Sequence, residues 1–204
     1  MGKAGLEAHQ KKGARLNAHL VFLDETGFLM CPLVQRTWGL RGRTPVLRHR
    51  MCHYRKVSAI GALSISPRRR RLGLYVHLDA QGDICQEVVV VFLRDLRRHL
   101  GGPLLVVWDR WSVHRGKQVR QFLQRQDLIH TEWLPPYAPD LNPMDKGWGW
   151  MKCHRLSNYA PAELEELKDA VADASTEAQD RQDLLRSFVR ATGLPIRLGT
   201  YLHS

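Results

Sequence analysis

The sequence predicts an α/β fold in which a mixed β-sheet is flanked by α-helices. Three observations support this prediction. Short apolar runs typical of strands come early in the chain, strand-like and helix-like segments alternate in its middle, and amphipathic helical segments follow towards its C-terminus. A hairpin-rich start followed by strand–helix alternation is the order expected when helices cover a mixed sheet.

The first part of the chain contains three predicted strands. An apolar run at 19–23 stops at the acids Asp24 and Glu25, which is typical of a buried strand that ends in a turn. Two further strands are predicted at 57–65 and 72–78. The neighbouring segments predict a short basic helix at 4–16, an extended loop or weak hairpin at 29–53 and a basic hairpin tip at 66–71.

The middle of the chain alternates helices with strands. A helix is predicted over 83–100, and Gly101 provides its C-terminal stop. One side of this helix carries the apolar residues Val88, Val91, Phe92, Leu96 and Leu100. Strands at 104–108 and 129–134 then enclose a second helix at 116–125.

The last part of the chain is predicted to be helical. After a rigid proline-rich loop at 135–139, Asn142 and Pro143 predict the N-cap and first position of a helix. Residues 161–192 predict one long amphipathic helix or two shorter ones. This order of elements suits a ribonuclease H-like fold. We divide it into a basic segment at 1–18, a ribonuclease H-like domain at 19–160 and a C-terminal helical extension at 161–204.

The net charge is distributed unevenly along the chain. Residues 1–158 hold 26 basic and 12 acidic groups, a net of +14, whereas residues 159–204 hold 5 basic and 8 acidic groups, a net of −3. A basic body predicts a polyanionic partner such as nucleic acid. The alternative is that the charge only confers solubility or reflects an arginine-rich genome.

Composition argues against several other classes of protein. The four cysteines, Cys31, Cys52, Cys85 and Cys153, lie far apart, so free thiols are expected rather than a zinc site. No run approaches the roughly 18 apolar residues of a membrane span, and the N-terminus lacks the apolar core of a signal peptide. We therefore expect a cytoplasmic protein with no membrane partner.

Three aspartates occupy positions suited to a metal site. Asp24 and Asp109 each follow an apolar strand, and Asp145 lies in the first turn of the helix that begins at Asn142. If the two strands are neighbours, Asp24 and Asp109 converge, and the helix can bring Asp145 beside them. Clustered carboxylates repel one another and need a cation such as Mg²⁺, which prefers oxygen ligands. Acids at strand ends also act as caps and turn formers, so spacing by itself leaves that alternative open.

Three segments resemble the signature blocks of mariner-type DDE transposases, and most closely those of the bacterial insertion-sequence branch. The segments are FLDETGF at 22–28, WDRWSVHRG at 108–116 and LPPYAPDLNPMDKGWGWMK at 134–152. TWGLRGRTP at 37–45 resembles the segment that follows the first block in that family. The likeness covers the chain from about residue 18 to about residue 155.

The resemblance implies both a site and a function. Asp24, Asp109 and Asp145 fall on the catalytic, metal-binding acids, with Mg²⁺ or Mn²⁺ as cofactor, in two ions about 4 Å apart. The implied enzyme hydrolyses phosphodiesters at the ends of a mobile element and transfers the freed 3′-hydroxyls to target DNA. Double-stranded DNA is then the partner, a homodimer forms on it, and the protein is prokaryotic and nucleoid-associated.

The chain departs from the family pattern at two points. The insertion-sequence branch normally has Glu at the third acidic position, whereas Asp145 matches mariner elements. Family members also carry helix-turn-helix modules before the catalytic domain, and this chain starts almost at the first block. Two alternatives therefore stay open: a catalytically inactive DNA-binding remnant, and a ribonuclease H-like nuclease without strand transfer.

Residues near the acids also have predicted roles. Strand alternation points Glu25 away from the site, so its role is expected to be structural. His114 could contact a DNA phosphate or hold its loop. Asn142 is expected to cap its helix, Trp148 to join the core and Lys152 to touch a phosphate.

Two arginine groups are predicted to bind the DNA backbone, since the planar guanidinium bonds two phosphate oxygens. Such contacts give affinity without sequence choice. The alternative is a solvated, self-repelling loop. The residues are Arg41, Arg43, Arg48 and Arg50 in the loop after the first strand, and Arg68, Arg69, Arg70 and Arg71 in the hairpin tip.

Overall fold

The computed structural model describes residues 16–47, 55–136 and 138–200. Within them, five strands form one sheet, and five α-helices lie against it. The strands are β1 (His19–Leu29), β2 (Lys56–Ile65), β3 (Leu72–Asp79), β4 (Leu104–Trp108) and β5 (Ile129–Trp133). The helices are α1 (Gln86–Leu100), α2 (Lys117–Gln124), α3 (Pro143–Trp150), α4 (Leu164–Asp180) and α5 (Gln182–Ala191).

The sheet is mixed, with strand order β3-β2-β1-β4-β5. β1 pairs antiparallel with β2 and parallel with β4, and β5 extends the parallel half. The register of β1 on β4 ends at Phe22 opposite Val107, so Asp24 and Asp109 each lie two residues beyond the last pair. The two strands expected to bring these acids together are therefore neighbours.

Each face of the sheet has its own layer of helices. Side chains alternate between the faces along each strand. Phe22 and Val107 pack on the face covered by α3, α4 and α5, whereas Val21 and Val106 pack on the face covered by α1 and α2. Residues 161–192, predicted as part of an extension, thus share one core with the sheet.

β1 does not end at Asp24, contrary to the sequence-based prediction. It continues through Glu25, Thr26 and Gly27 to Leu29, which pairs with Lys56. The reason is that β2 supplies hydrogen-bonding partners along the whole of β1, a long-range pairing that a local acidic pattern does not reveal. Asp24 consequently lies within a strand, where its backbone is held on the β2 side.

The helices confirm most predicted positions and correct one predicted face. The Asn142 side chain accepts a hydrogen bond from the Met144 backbone N–H, as expected of an N-cap. The C-terminal segment forms two helices, which are separated at Arg181. In α1 the buried side is rotated from the predicted one, because Val89 is buried whereas Val91 is exposed. Residues 88–93 are all apolar, so the periodicity of apolar residues does not distinguish the buried side of the helix from the exposed side.

Two predicted features lie wholly or partly outside the described residues. The basic helix predicted at 4–16 lies outside the described residues except for residue 16, and the last six residues of the 29–53 segment, 48–53, also lie outside them. β1 ends at residue 29, and residues 30–47 form no further strand. They contain one isolated bridge, at Leu33. Within the described ranges, no helix combines the length and apolar character needed to cross a membrane.

Gly61 allows α3 to lie directly on the sheet. It is opposite Asp24 in the β1–β2 register. A Cβ atom on Gly61 would stand 2.6 Å from the ring of Trp148 and 2.7 Å from the terminal methyl of Met144, both buried residues of α3. Any larger residue must therefore displace the side chains of Trp148 and Met144, through which α3 packs on β2.

Substituting Gly61→Ala is expected to lower the free energy of unfolding by about 1–3 kcal/mol, the usual cost of overpacking a core. Gly149→Ala is the matched control, since a Cβ at this position in α3 meets nothing within 4 Å. The control should be neutral or stabilising by up to about 1 kcal/mol, because alanine favours helix over glycine. Urea unfolding of both variants tests this; equal stability of the two would contradict the packing account.

Candidate active site

The three aspartates come from separate elements and line one cavity. Asp24 lies within β1, Asp109 directly follows β4 and Asp145 lies in the first turn of α3. The cavity has a volume of about 650 Å³, and all three aspartates line it together with Asn142 and Trp111. The sequence-based grouping of these acids is thus matched by their placement at one edge of the fold.

A second cavity of about 420 Å³ adjoins the first. Asp24, Asp109 and Trp111 line both, and Lys56 and Ser58 line only the second. Two adjoining cavities that share two carboxylates form an open groove through the site, which is a shape that an extended substrate can occupy.

Asp24 is the electrostatically strained member of the group. Burial, and then repulsion by Glu25, Asp145 and Asp109, raises the pKa of its carboxyl from 3.8 to about 7. The ionised form is therefore disfavoured by its surroundings. A bound cation would favour the ionised form, because it would offset the repulsion from the neighbouring carboxylates that adds to the effect of burial.

Asp109 is held in place by its own loop. Its Oδ1 accepts a hydrogen bond from the Trp111 backbone N–H at 2.9 Å and lies 3.0 Å from Nδ1 of His114. The hydrogen bond from His114 lowers the pKa of the Asp109 carboxyl and outweighs the effect of burial. Asp109 is therefore ionised and oriented in the absence of any cation.

His114 does not face the groove, which argues against its predicted contact with DNA. Its side chain is fully buried, and Nε2 lies 2.8 Å from Oε1 of Glu25. Burial opposes the charge on the ring, but the bonds to Asp109 and Glu25 outweigh it and raise the pKa to about 9. The other predicted role of His114, holding the loop, fits this position.

Asn142 connects α3 to β1 beside the site. Besides capping the helix, its side-chain amide donates a hydrogen bond to the backbone carbonyl of Leu23 at 3.0 Å. Leu23 precedes Asp24, so one buried side chain fixes the start of α3 against the strand that carries Asp24. Asp145 follows three residues later, with its backbone N–H bonded to the Asn142 carbonyl.

Trp148 joins the core, as predicted, and Lys152 lies near Asp24 and Asp145. Trp148 is buried and meets Phe28 edge to face. Lys152 lies in a π-helical turn, Met151–Arg155, rather than on the α-helix itself. Its ammonium donates to Oγ1 of Thr26 at 2.6 Å, and burial lowers its pKa although Asp145 and Asp24 favour the charge.

The two arginine groups belong to different segments of the chain. Arg41 and Arg43 are exposed in the segment that follows β1. The 66–71 tip joins β2 to β3 near the start of β1, at the end of the sheet opposite the carboxylates. There Arg69 is partly buried, and the backbone carbonyl of Arg70 accepts a hydrogen bond from Arg186. Arg48 and Arg50 lie outside the described residues.

The donor set fits a hard divalent cation. Within the described ranges, no three His, Cys, Asp or Glu side chains form a ready-made metal cage. Mg²⁺ does not need one, because it usually keeps several waters and binds through one or two carboxylates together with substrate phosphates. Asp24, Asp109 and Asp145 supply oxygen ligands of this kind around a shared cavity.

Some features of the site were not predicted. The Glu25–His114 contact joins residues 89 positions apart, and the Asn142–Leu23 bond joins residues 119 apart. The contact of Gly61 with α3 is likewise long-range. A glycine within an otherwise apolar strand was the one available indication, since it often marks a close backbone approach.

Comparison with known proteins establishes the family. A model of the DDE superfamily endonuclease family matches residues 19–168. The chain therefore belongs to the DDE endonuclease superfamily. A comparison with curated proteins found no match.

Solved structures of Mos1 transposase share the fold. The catalytic domain of Mos1 mariner transposase aligns with a TM-score of 0.59 at 15% identity, covering 94% of this chain and 84% of that one. The Mos1 paired-end complex with the left transposon end aligns with a TM-score of 0.62 at 17% identity, covering 94% of this chain. This chain spans 56% of the Mos1 chain in that complex. The predicted ribonuclease H-like fold is confirmed.

Removing the charge of Asp24 is expected to stabilise the metal-free protein. Ionised Asp24 destabilises the fold, so Asp24→Asn should raise the free energy of unfolding at pH 8 in EDTA by up to about 4 kcal/mol, since the pKa rises from 3.8 to about 7 and each pKa unit is worth about 1.4 kcal/mol. Because the folded-state pKa is raised, parent stability falls as pH rises from 3.8 to about 7. The difference in free energy of unfolding between Asp24→Asn and the parent should therefore disappear near pH 3.8.

Asp109→Asn is the matched control, and its effect should have the opposite sign. Asp109 has a lowered pKa and a side chain that is 55% exposed, so the loss should be under about 1 kcal/mol after solvent screening. Chemical unfolding at both ends of the pH range measures both effects. Stabilisation by Asp109→Asn, or destabilisation by Asp24→Asn at pH 8, would contradict this electrostatic account.

Proposed function

We propose that this chain is the catalytic domain of a metal-dependent DNA transposase. One observation carries the proposal: aspartates from the three segments that resemble transposase signature blocks line one cavity. Asp24, Asp109 and Asp145 are the proposed metal ligands, with Mg²⁺ or Mn²⁺, in two ions, as cofactor. Mos1 catalytic-domain and paired-end structures are described with Mg or Mn, which supports this choice of cation for the present chain.

The residues of the chain have distinct parts in this proposal. Cations held between the aspartates would polarise a phosphodiester and activate the attacking water or 3′-hydroxyl. Asp109 presents an oriented carboxylate, and Asp24 contributes charge whose repulsion a cation relieves. Asn142 holds the start of α3 against β1, so that Asp145 is the third ligand of the proposed site. Lys152 adds positive charge near Asp24 and Asp145. The same carboxylates serve both hydrolysis at the element ends and strand transfer.

Double-stranded DNA is the proposed partner, as element ends and as target. Arg41 and Arg43 are exposed in the segment that follows β1, so their guanidinium groups are accessible to a DNA backbone. Arg48, Arg50 and the 66–71 tip remain proposed backbone contacts. We also propose a homodimer on paired ends, a prokaryotic insertion-sequence origin and association with the nucleoid.

Nicking of supercoiled plasmid in Mg²⁺ or Mn²⁺ tests the activity. The parent protein should nick, and Asp24→Ala, Asp109→Ala and Asp145→Ala should each lose about a hundredfold or more in rate while still binding DNA. Asp127→Ala is the control, because Asp127 is exposed beside the start of β5, at the other end of the sheet. Nicking by the three variants at the parent rate would overturn the site assignment.

The same assay separates the alternatives. A parent that binds DNA but shows neither nicking nor a metal-dependent thermal shift would be the inactive remnant. A parent that nicks but yields no joined product when supplied with a cleaved 3′-end would be a nuclease without strand transfer. Joined product supports the transposase.

Salt dependence of DNA binding tests the exposed arginines. Each phosphate contact contributes about 0.9 to the slope of log affinity against log salt. The double variant Arg41→Ala/Arg43→Ala should therefore lower the slope by up to about 2. Arg68→Ala/Arg71→Ala provides the comparison at the opposite end of the sheet, and a slope change there would show that the tip also contacts DNA. An unchanged slope in Arg41→Ala/Arg43→Ala would show that these two arginines do not contact DNA phosphates.

A further inference from the structure

The pair Glu25–His114 lies beside the carboxylates: the His114 side chain is fully buried, whereas that of Glu25 is 12% exposed and lines the second cavity. His114 occupies the turn between β4 and α2 and stacks on Trp108, with ring centroids 4.4 Å apart and planes 12° apart. Trp111 meets the same ring edge-on at 5.7 Å. Enclosed in this way, the ring has a fixed orientation and cannot reach a substrate.

Both ring nitrogens of His114 face oxygen acceptors. Nδ1 lies 3.0 Å from Oδ1 of Asp109 and 3.1 Å from its backbone carbonyl, and Nε2 lies 2.8 Å from Oε1 of Glu25. Ionised carboxylates and carbonyls only accept hydrogen bonds, so the ring donates on both sides. The imidazole thus bridges Glu25 of β1 to Asp109 after β4.

This bridge has a geometric consequence for the proposed metal ligands. Glu25 directly follows Asp24, so the bridge fixes the backbone that carries Asp24 relative to the carboxylate of Asp109. The contacts from His114 and from the Trp111 N–H both fall on Oδ1 of Asp109. A cation that binds Asp109 through Oδ2 would compete with neither contact.

We propose that His114, held by Glu25, is a positioning residue that presents Oδ2 of Asp109 to the metal and sets its spacing from Asp24. This inference rests on the proposed metal-dependent function. Partners that orient a ligand in this way typically change metal affinity by about 10–100-fold when they are removed. The buried His114 ring therefore tunes metal affinity without touching metal or DNA.

The test uses the full chain and measures Mn²⁺ binding by calorimetry together with nicking rate against Mn²⁺ concentration. His114→Phe keeps a flat ring against Trp108 and removes both bonds; it should raise the Mn²⁺ Kd and the nicking midpoint about 10–100-fold. Saturating Mn²⁺ should restore much of the rate. Glu25→Gln keeps an acceptor oxygen and should give a smaller shift in the same direction. His77→Phe, at an exposed position on the β3 edge strand, is the control and should match the parent.

The outcomes distinguish this inference from the function on which it rests. A merely structural role would lower the melting temperature and the fraction of active protein but leave the Mn²⁺ midpoint of the folded fraction unchanged. If folded His114→Phe has a Mn²⁺ midpoint for nicking within twofold of that of the parent, the inference is wrong. If His114→Phe does not fold, the Mn²⁺ midpoint of Glu25→Gln is compared with that of the parent in the same way. If the parent itself binds no Mn²⁺, the proposed function fails and the inference fails with it.

Discussion

The burial of Asp24 among other carboxylates is the constraint on which the rest of this structure depends. Asp24 shares a cavity with Asp109 and Asp145, and burial, followed by repulsion from Glu25 and from these two acids, raises its pKa and so destabilises the ionised form in the folded chain. A fold keeps such a group only if other interactions hold the strands and the helix in place. The buried two-faced sheet supplies that support, since β1 and β4 lie at its centre and are covered on both sides.

Two further contacts set where the third carboxylate lies. Gly61 lets the side chains of Trp148 and Met144 pack directly on β2, and Asn142 bonds the start of α3 to the Leu23 carbonyl. Both contacts act close to Asp24, one from the neighbouring strand and one from the preceding residue. The position of Asp145 therefore follows from the packing of α3 rather than from any bond made by its own carboxylate to the sheet.

Much of the fold, and the three aspartates, could be predicted because local patterns carry them. An apolar run before Asp109 and the Asn-Pro start of α3 specify those elements within a few residues of chain. The full length of β1, the buried side of α1 and the Glu25–His114 pair could not be predicted, because each depends on a partner distant in the chain. His114 is the clearest case. Its sequence neighbourhood is basic and loop-like, yet the ring is buried and contacts Glu25 of β1, which lies 89 residues earlier in the chain.

The most direct test of the account is the anomalous scattering of crystals of this chain soaked in Mn²⁺. We predict an anomalous peak within ligand distance, about 2.2 Å, of carboxylate oxygens from at least two of Asp24, Asp109 and Asp145. Peaks confined to other acids of the surface, with none in the shared cavity at saturating Mn²⁺, would contradict it.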